Sequence, residues 1–155
     1  MVRFFYLLSL SIWIGAVTFF SFGVAPSIFR ALPRPQAGDA VAAIFPLYYV
    51  FGGVAGALVC LLGWLMWPRA LDRRWRMAHT AIAAAMLLAT LVAGVVIQPR
   101  ASALRLELRG DAPPPAAQAD FDRLHRWSVQ LNAAVLLGGL LLLAGTSRRF
   151  DRPRL

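Results

Sequence analysis

Charge is withheld from four long stretches of this chain. Phe4 to Phe29, Val41 to Trp67, Ala78 to Ile97 and Trp127 to Gly145 contain no Asp, Glu, Lys or Arg. Each is close to or above the ~20 apolar residues that cross a ~30 Å hydrocarbon core. Within lipid a backbone must satisfy its own hydrogen bonds, so runs of this length are helices. Composition agrees: 59% of the 155 residues are hydrophobic and 15% are charged, where a soluble domain carries roughly 25% charged residues. The chain reads as all-α, a four-helix transmembrane bundle in one domain.

The predicted helices cover about 4–29, 41–67, 77–98 with an extension to about 109, and 120–146. The first run is too long for a signal-peptide h-region of ~7–15 residues and no small-x-small site closes it, so it reads as a retained helix. Pro26 is expected to kink it. Leu32 to Gly38 carries the proline and glycine punctuation of a loop. Asp39 and Asp120 are candidate N-caps for helices 2 and 4. Helix 3 is rich in alanine, which predicts a place at the bundle centre. The stretch 101–109 fits either a strand period or a helix face, and a helical extension is preferred because no partner strand is in sight. Gly110 to Ala117, with three successive prolines, reads as a linker, and Pro68 to Arg76 as a tight basic loop.

The formal charge of +9 comes from 16 basic residues, all arginine. They sit at helix ends instead of on one exposed face, which excludes a nucleic-acid partner and leaves the lipid bilayer. Arg3, Arg69, Arg73, Arg74, Arg76, Arg148, Arg149, Arg152 and Arg154 fall on one side. Arg30, Arg34, Arg100, Arg105, Arg109, Arg123 and Arg126 fall on the other, most of them in a longer loop. The short-loop bias predicts N-in, C-in, in a bacterial inner membrane. The single cysteine, Cys60, provides no internal disulfide and no cysteine-cluster metal site.

No carboxylate or arginine lies within the spans, which argues against an Asp- or Glu-based proton or ion pathway. No catalytic motif, cofactor signature or metal set is present. His79 reads as an interfacial residue beside the arginine loop. His125 belongs to the opposite side, about 20–30 Å away by membrane thickness, so the two cannot clamp one haem. His125, Ser128 and Asn132 form an i, i+3, i+7 row on one face of helix 4. Gln98, Arg100 and Tyr48 reach similar depth, as do Pro26, Ser27 and Pro46, so the outer half collects the polar side chains. They serve either interhelical hydrogen bonding or a small outward-facing site. Trp13 with Gly15, and Gly52 with Gly56, read as helix-packing elements, with Gly15 admitting a neighbouring helix.

Trp13, Ile14 and Gly15, the Val24 to Phe29 segment around Pro26, Ile44 to Tyr49, and Phe121 through Leu124, His125, Arg126, Ser128 and Asn132 together resemble the transmembrane protein 205-like family. That resemblance covers nearly the whole chain. It implies a four-helix membrane domain with no assigned reaction, whose eukaryotic relatives are linked to metal-drug resistance and trafficking. A fainter likeness to copper-resistance D proteins and membrane protoporphyrinogen oxidases rests on the Trp-x-Gly helix. Their preceding site histidine has no counterpart in Phe4 to Ile12, which argues against haem or copper.

The reading that follows is a non-enzymatic multi-pass membrane protein of unknown biochemical role, with its outer half as the candidate place for a small ligand or a protein partner. A haem- or metal-handling protein using His125 and a small oligomeric transporter are the competing readings. A homo-oligomer or another membrane protein are the partners these imply.

Overall fold

A computed structural model describes residues 1–66, 73–110 and 114–150, with side chains through 148. Four helices in it are long and apolar enough to span a membrane: α1 Val2–Ala31, α2 Arg34–Met66 and α3 Arg73–Glu107, then α4 Ala117–Phe150. The described residues are helical apart from short connections. Trp67, residues 68–72 of the predicted basic loop, and Arg152 and Arg154 lie outside the described residues, whereas residues 73–76, expected in that loop, form the first turn of α3.

The boundaries differ from the sequence expectation in one instructive way. No loop spans Leu32 to Gly38; α2 starts at Arg34. Pro35 in its first turn sacrifices an N–H that has no helical partner there anyway. Asp39 is therefore inside α2 and does not cap it. Asp39 instead pairs with Arg109 and lies 3.9 Å from Arg105, which joins the beginning of α2 to the end of α3. Asp120 likewise lies inside α4, paired with Arg123 at 3.0 Å.

Close backbone approaches run round a ring: α1 against α2, α2 against α3, α3 against α4 and α4 against α1. Helix 3 is one of the four corners of that ring, not a central post. Its Ala84 and Ala85 are exposed. Its inward stripe is His79, Ala83, Met86, Thr90, Ala93 and Ile97. The matching stripe of α1 is Tyr6, Leu10, Trp13, Val17 and Phe20. Both follow the i, i+4, i+7 spacing that lines one helix face. The outward faces are also apolar, with Phe19, Leu47 and Val95 at least 70% exposed. Apolar surface on this scale marks contact with lipid.

Trp13, 1% exposed, is the largest wedge between α1 and α2. A Cβ on Gly56 would stand 2.8 Å from its ring, and one on Gly52 3.4 Å from its indole nitrogen. These glycines make room for an indole, not for a bare backbone. Gly15 does not join them: a Cβ there would have nothing within 4 Å. Two residues from Trp13 along a 3.6-residue turn, it faces away from the core.

Two short π-helical turns interrupt the spans, Phe19–Val24 in α1 and Val92–Ile97 in α3. Each leads directly to a proline. Pro26 and Pro99 lack an N–H, and their rings clash with the carbonyl four residues back. The widened turn shifts the hydrogen bonding by one residue: Ala25 N–H donates to Phe20 O, and Gln98 N–H donates to Ala93 O. The kink expected at Pro26 thus takes the form of a π turn before it.

Gly94, inside the second π turn, would carry a Cβ 2.7 Å from Tyr49 Cβ. That atom is anchored to the α2 backbone and cannot swing away. Gly94→Ala is expected to cost about 1–3 kcal/mol by overpacking. Gly15→Ala is expected to be neutral or to gain up to about 1 kcal/mol of helix propensity. Thermal unfolding in mild detergent, followed by circular dichroism, checks the contrast.

Candidate functional site

The α4 row meets α2 across the ring. Tyr48 Oη donates to Asn132 Oδ1 at 3.1 Å, and Tyr49 Oη shares a hydrogen bond with Ser128 Oγ at 3.1 Å. Phe20 and Phe45 pack on these tyrosines, with the Phe20 and Tyr48 rings 4.7 Å apart and those of Phe45 and Tyr49 5.6 Å apart. His125, the third member of the row, is exposed and lies parallel to Phe121 at 6.4 Å.

Beside this row, between α1 and α4, lies a cavity of about 440 Å³. Its origin is the π turn. Val2–Thr18 packs against both α2 and α4, whereas Ala25–Ala31, beyond the turn, packs closely on α2. The end of α1 leans toward α2, and a groove opens on the α4 side. Its walls are mostly apolar, with Val17, Phe20, Pro26, Val129, Ala133 and Leu136 among them. His125, Ser128 and Asn132 add the polar lining from α4.

A second cavity of about 50 Å³ shares Phe45, His125 and Ser128 with the groove. Gln98, Ser102 and Arg105 line its remaining polar side. Gln98 Nε2 donates to Ser102 Oγ at 3.4 Å, and Arg105 donates to the Gly38 carbonyl at 2.6 Å. Of the residues singled out from sequence, His125, Ser128 and Asn132 line the groove, and Gln98 lines the second cavity. Tyr48 reaches the site through Asn132. Arg100 is exposed and borders neither cavity. It follows Pro99 on the outward side of α3, whose inward positions are Ile97 and Ala101. Tyr49 and Arg105 were not singled out by sequence. Arg105 had a legible signal, since it shares a helix face with Gln98 and Ser102 at i, i+4, i+7.

At the opposite end, His79, in the second turn of α3, faces the bundle interior. It is 2% exposed, and its Nε2 shares a 2.7 Å hydrogen bond with the Tyr6 hydroxyl, which is fully buried. A Cβ on Gly63 would stand 2.9 Å from the His79 ring. From Tyr6 to Pro26 the α1 rise is about 30 Å, so this pair is remote from His125. Among the described residues no three His, Cys, Asp or Glu side chains converge as a metal set.

A family described as a domain of unknown function, DUF4149, matches residues 8–109. The chain belongs to this family. The DUF4149 match runs from α1 through the end of α3, and α4 with its His125 row lies beyond it. An uncharacterized protein of Aquifex aeolicus (strain VF5) is 43% identical over 54 residues, covering 35% of this chain and 41% of the relative. The match thus spans less than half of that relative's length. No solved structure matches.

The Tyr6 and Tyr48 contacts both join helices that are diagonal in the ring, but they differ in burial. Tyr6→Phe removes a bond between two fully enclosed groups. It is expected to cost about 1–2 kcal/mol, the upper range for hydrogen bonds between membrane helices. Tyr48→Phe, beside the groove, is expected to cost about 0.6 kcal/mol. Unfolding titrations in detergent give the order.

Proposed function

We propose that this DUF4149 protein is a multi-pass protein of a bacterial inner membrane that holds a small amphipathic molecule in the groove between α1 and α4. The transmembrane protein 205-like resemblance is part of this reading and adds no reaction to it. The observation that carries the proposal is the groove's lengthwise change in polarity. His125 lies at the level of the charged residues Arg126 and Arg123, whereas Leu136 is eleven residues further along α4. That is about 16 Å of helix rise, about half the ~30 Å hydrocarbon thickness. Polar groups occupy the upper turns, and the lower wall is Val17, Phe20 and Leu136. A molecule lying there would be oriented like a lipid of the adjacent leaflet. The volume falls within the ~300–1,000 Å³ of small-molecule sites.

Tritiated hexadecanol, bound to detergent-solubilised protein in a scintillation proximity assay, tests the groove. Ala133→Phe fills it from α4 and is expected to weaken binding at least about tenfold, the effect of losing some 1.4 kcal/mol of contact, with unfolding unchanged. Equal binding by the variant, or no binding by the parent protein, would overturn the proposal. A stoichiometric haem band in the purified protein would replace it with a redox reading.

Orientation has its own test. Nine arginines at the terminal end against seven at the connection end support both termini facing the cytoplasm. A green fluorescent protein fused to the C-terminus is expected to fluoresce, and alkaline phosphatase fused within the α3–α4 connection is expected to be active. The reverse pattern would place the groove in the cytoplasmic leaflet.

A further inference from the structure

The groove by itself selects chain length and shape, not charge. The 50 Å³ niche that shares His125, Ser128 and Phe45 with it is different in kind. A water needs ≳10–15 Å³ of such space, so the niche holds a few waters or one small head group. No carboxylate lines it, and Arg105 is the one charged side chain among its lining residues.

Arg105 keeps a positive surplus there. Its guanidinium carries five N–H donors, and one is given to the Gly38 carbonyl. Its ion-pair partner Asp39 is 3.9 Å away and is also taken by Arg109, so two cations share one carboxylate. The acidic residues at the start of α4 are engaged elsewhere: Asp120 with Arg123, and Asp122 with Gln118 Nε2 at 2.9 Å. Ser128 and His125 add further hydrogen-bonding groups on the wall common to both cavities. The arrangement is a small cationic niche at the polar end of an apolar groove.

We propose that niche and groove form one bipartite site for a long-chain carboxylate, with the chain in the groove and the carboxylate in the niche facing Arg105. This rests on the groove reading and adds the head group. A planar carboxylate matches the guanidinium fork and the niche volume, whereas a glycerophosphodiester head is too large. The niche walls come from α2, α3 and α4, so a bound carboxylate would tie together three helices at their connection end.

The experiment displaces tritiated hexadecanol with palmitate, unlabelled hexadecanol and hexadecyltrimethylammonium on the full chain in detergent. Palmitate is expected to compete about tenfold to hundredfold better than hexadecanol, the range of a hydrogen bond to a charged group. The ammonium is expected to be weakest. Arg105→Gln is expected to bring palmitate down to the level of hexadecanol. Asp39→Asn removes the carboxylate that joins α2 to α3 through Arg109 and Arg105 but leaves the Arg105 charge and its bond to Gly38, so it is expected to keep the preference. Palmitate no better than hexadecanol, or a preference that survives Arg105→Gln, would overturn the carboxylate site and leave the groove standing. Loss of the preference in Asp39→Asn would also overturn it, by showing that the Asp39 ion pairs and not the Arg105 charge set the preference. Failure of every chain to bind would overturn the groove reading with it.

Discussion

A hydroxyl enclosed by helices in hydrocarbon has nowhere to turn for water, and leaving it unpaired costs several kcal/mol. Tyr6, Tyr48 and Tyr49 meet this constraint by reaching across the ring to a helix that is not their neighbour. Tyr6 finds His79, and the other two find Asn132 and Ser128. The diagonals of the ring are thereby fixed by directional bonds, whereas its sides are fixed by packing, apart from the polar contacts of Asp39 and Gly38 with Arg105 and Arg109 that join α2 to α3. Dispersion alone would tolerate rotation of an apolar helix against lipid, since lipid tails are as apolar as leucine. A hydrogen bond does not tolerate it. The facing stripes of Tyr6, Leu10, Trp13 and of His79, Ala83, Met86 follow from that rotational choice.

The two ends of the ring are unequal because of proline. At the terminal end Tyr6, His79, Leu142 and Thr146 are packed to full burial. At the connection end two prolines each impose a π turn, and the turn in α1 draws that helix off α4. The groove is the consequence of a backbone hydrogen-bond problem solved locally, with the solution felt on the next helix. Such insertions recur at functional sites because they create space without breaking the helix. The ion pairs of Asp39 with Arg105 and Arg109 then hold α2 to α3 above the groove, and the charge they leave over gives the small niche its sign.

Much of this fold was legible in the chain. Charge-free runs of helical length set the number of spans, because lipid leaves the backbone no alternative. The i, i+3, i+7 row of His125, Ser128 and Asn132 was visible for the same reason: a helix of known phase places those residues on one face. The same argument, applied to α3, would have placed His79 on the buried stripe with Ala83, Met86 and Thr90. Its proximity to the arginine loop speaks to its depth along the helix and not to the face it occupies.

What a single helix cannot reveal is which neighbour its faces meet. Gly15 and Gly52 look alike as small residues in apolar helices; the position of Trp13 makes one a socket and leaves the other exposed. Asp39 looks like a cap until Arg105 and Arg109, about seventy positions away, come within reach. Tyr49 and Arg105 gained their places only when α2, α3 and α4 were brought together. Sequence determined the spans, their phase and the location of the distorting prolines, all of which depend on contacts within a turn or two. Tertiary structure decided the groove, the niche and the hydroxyl partners, because these depend on pairings between helices that local periodicity does not encode.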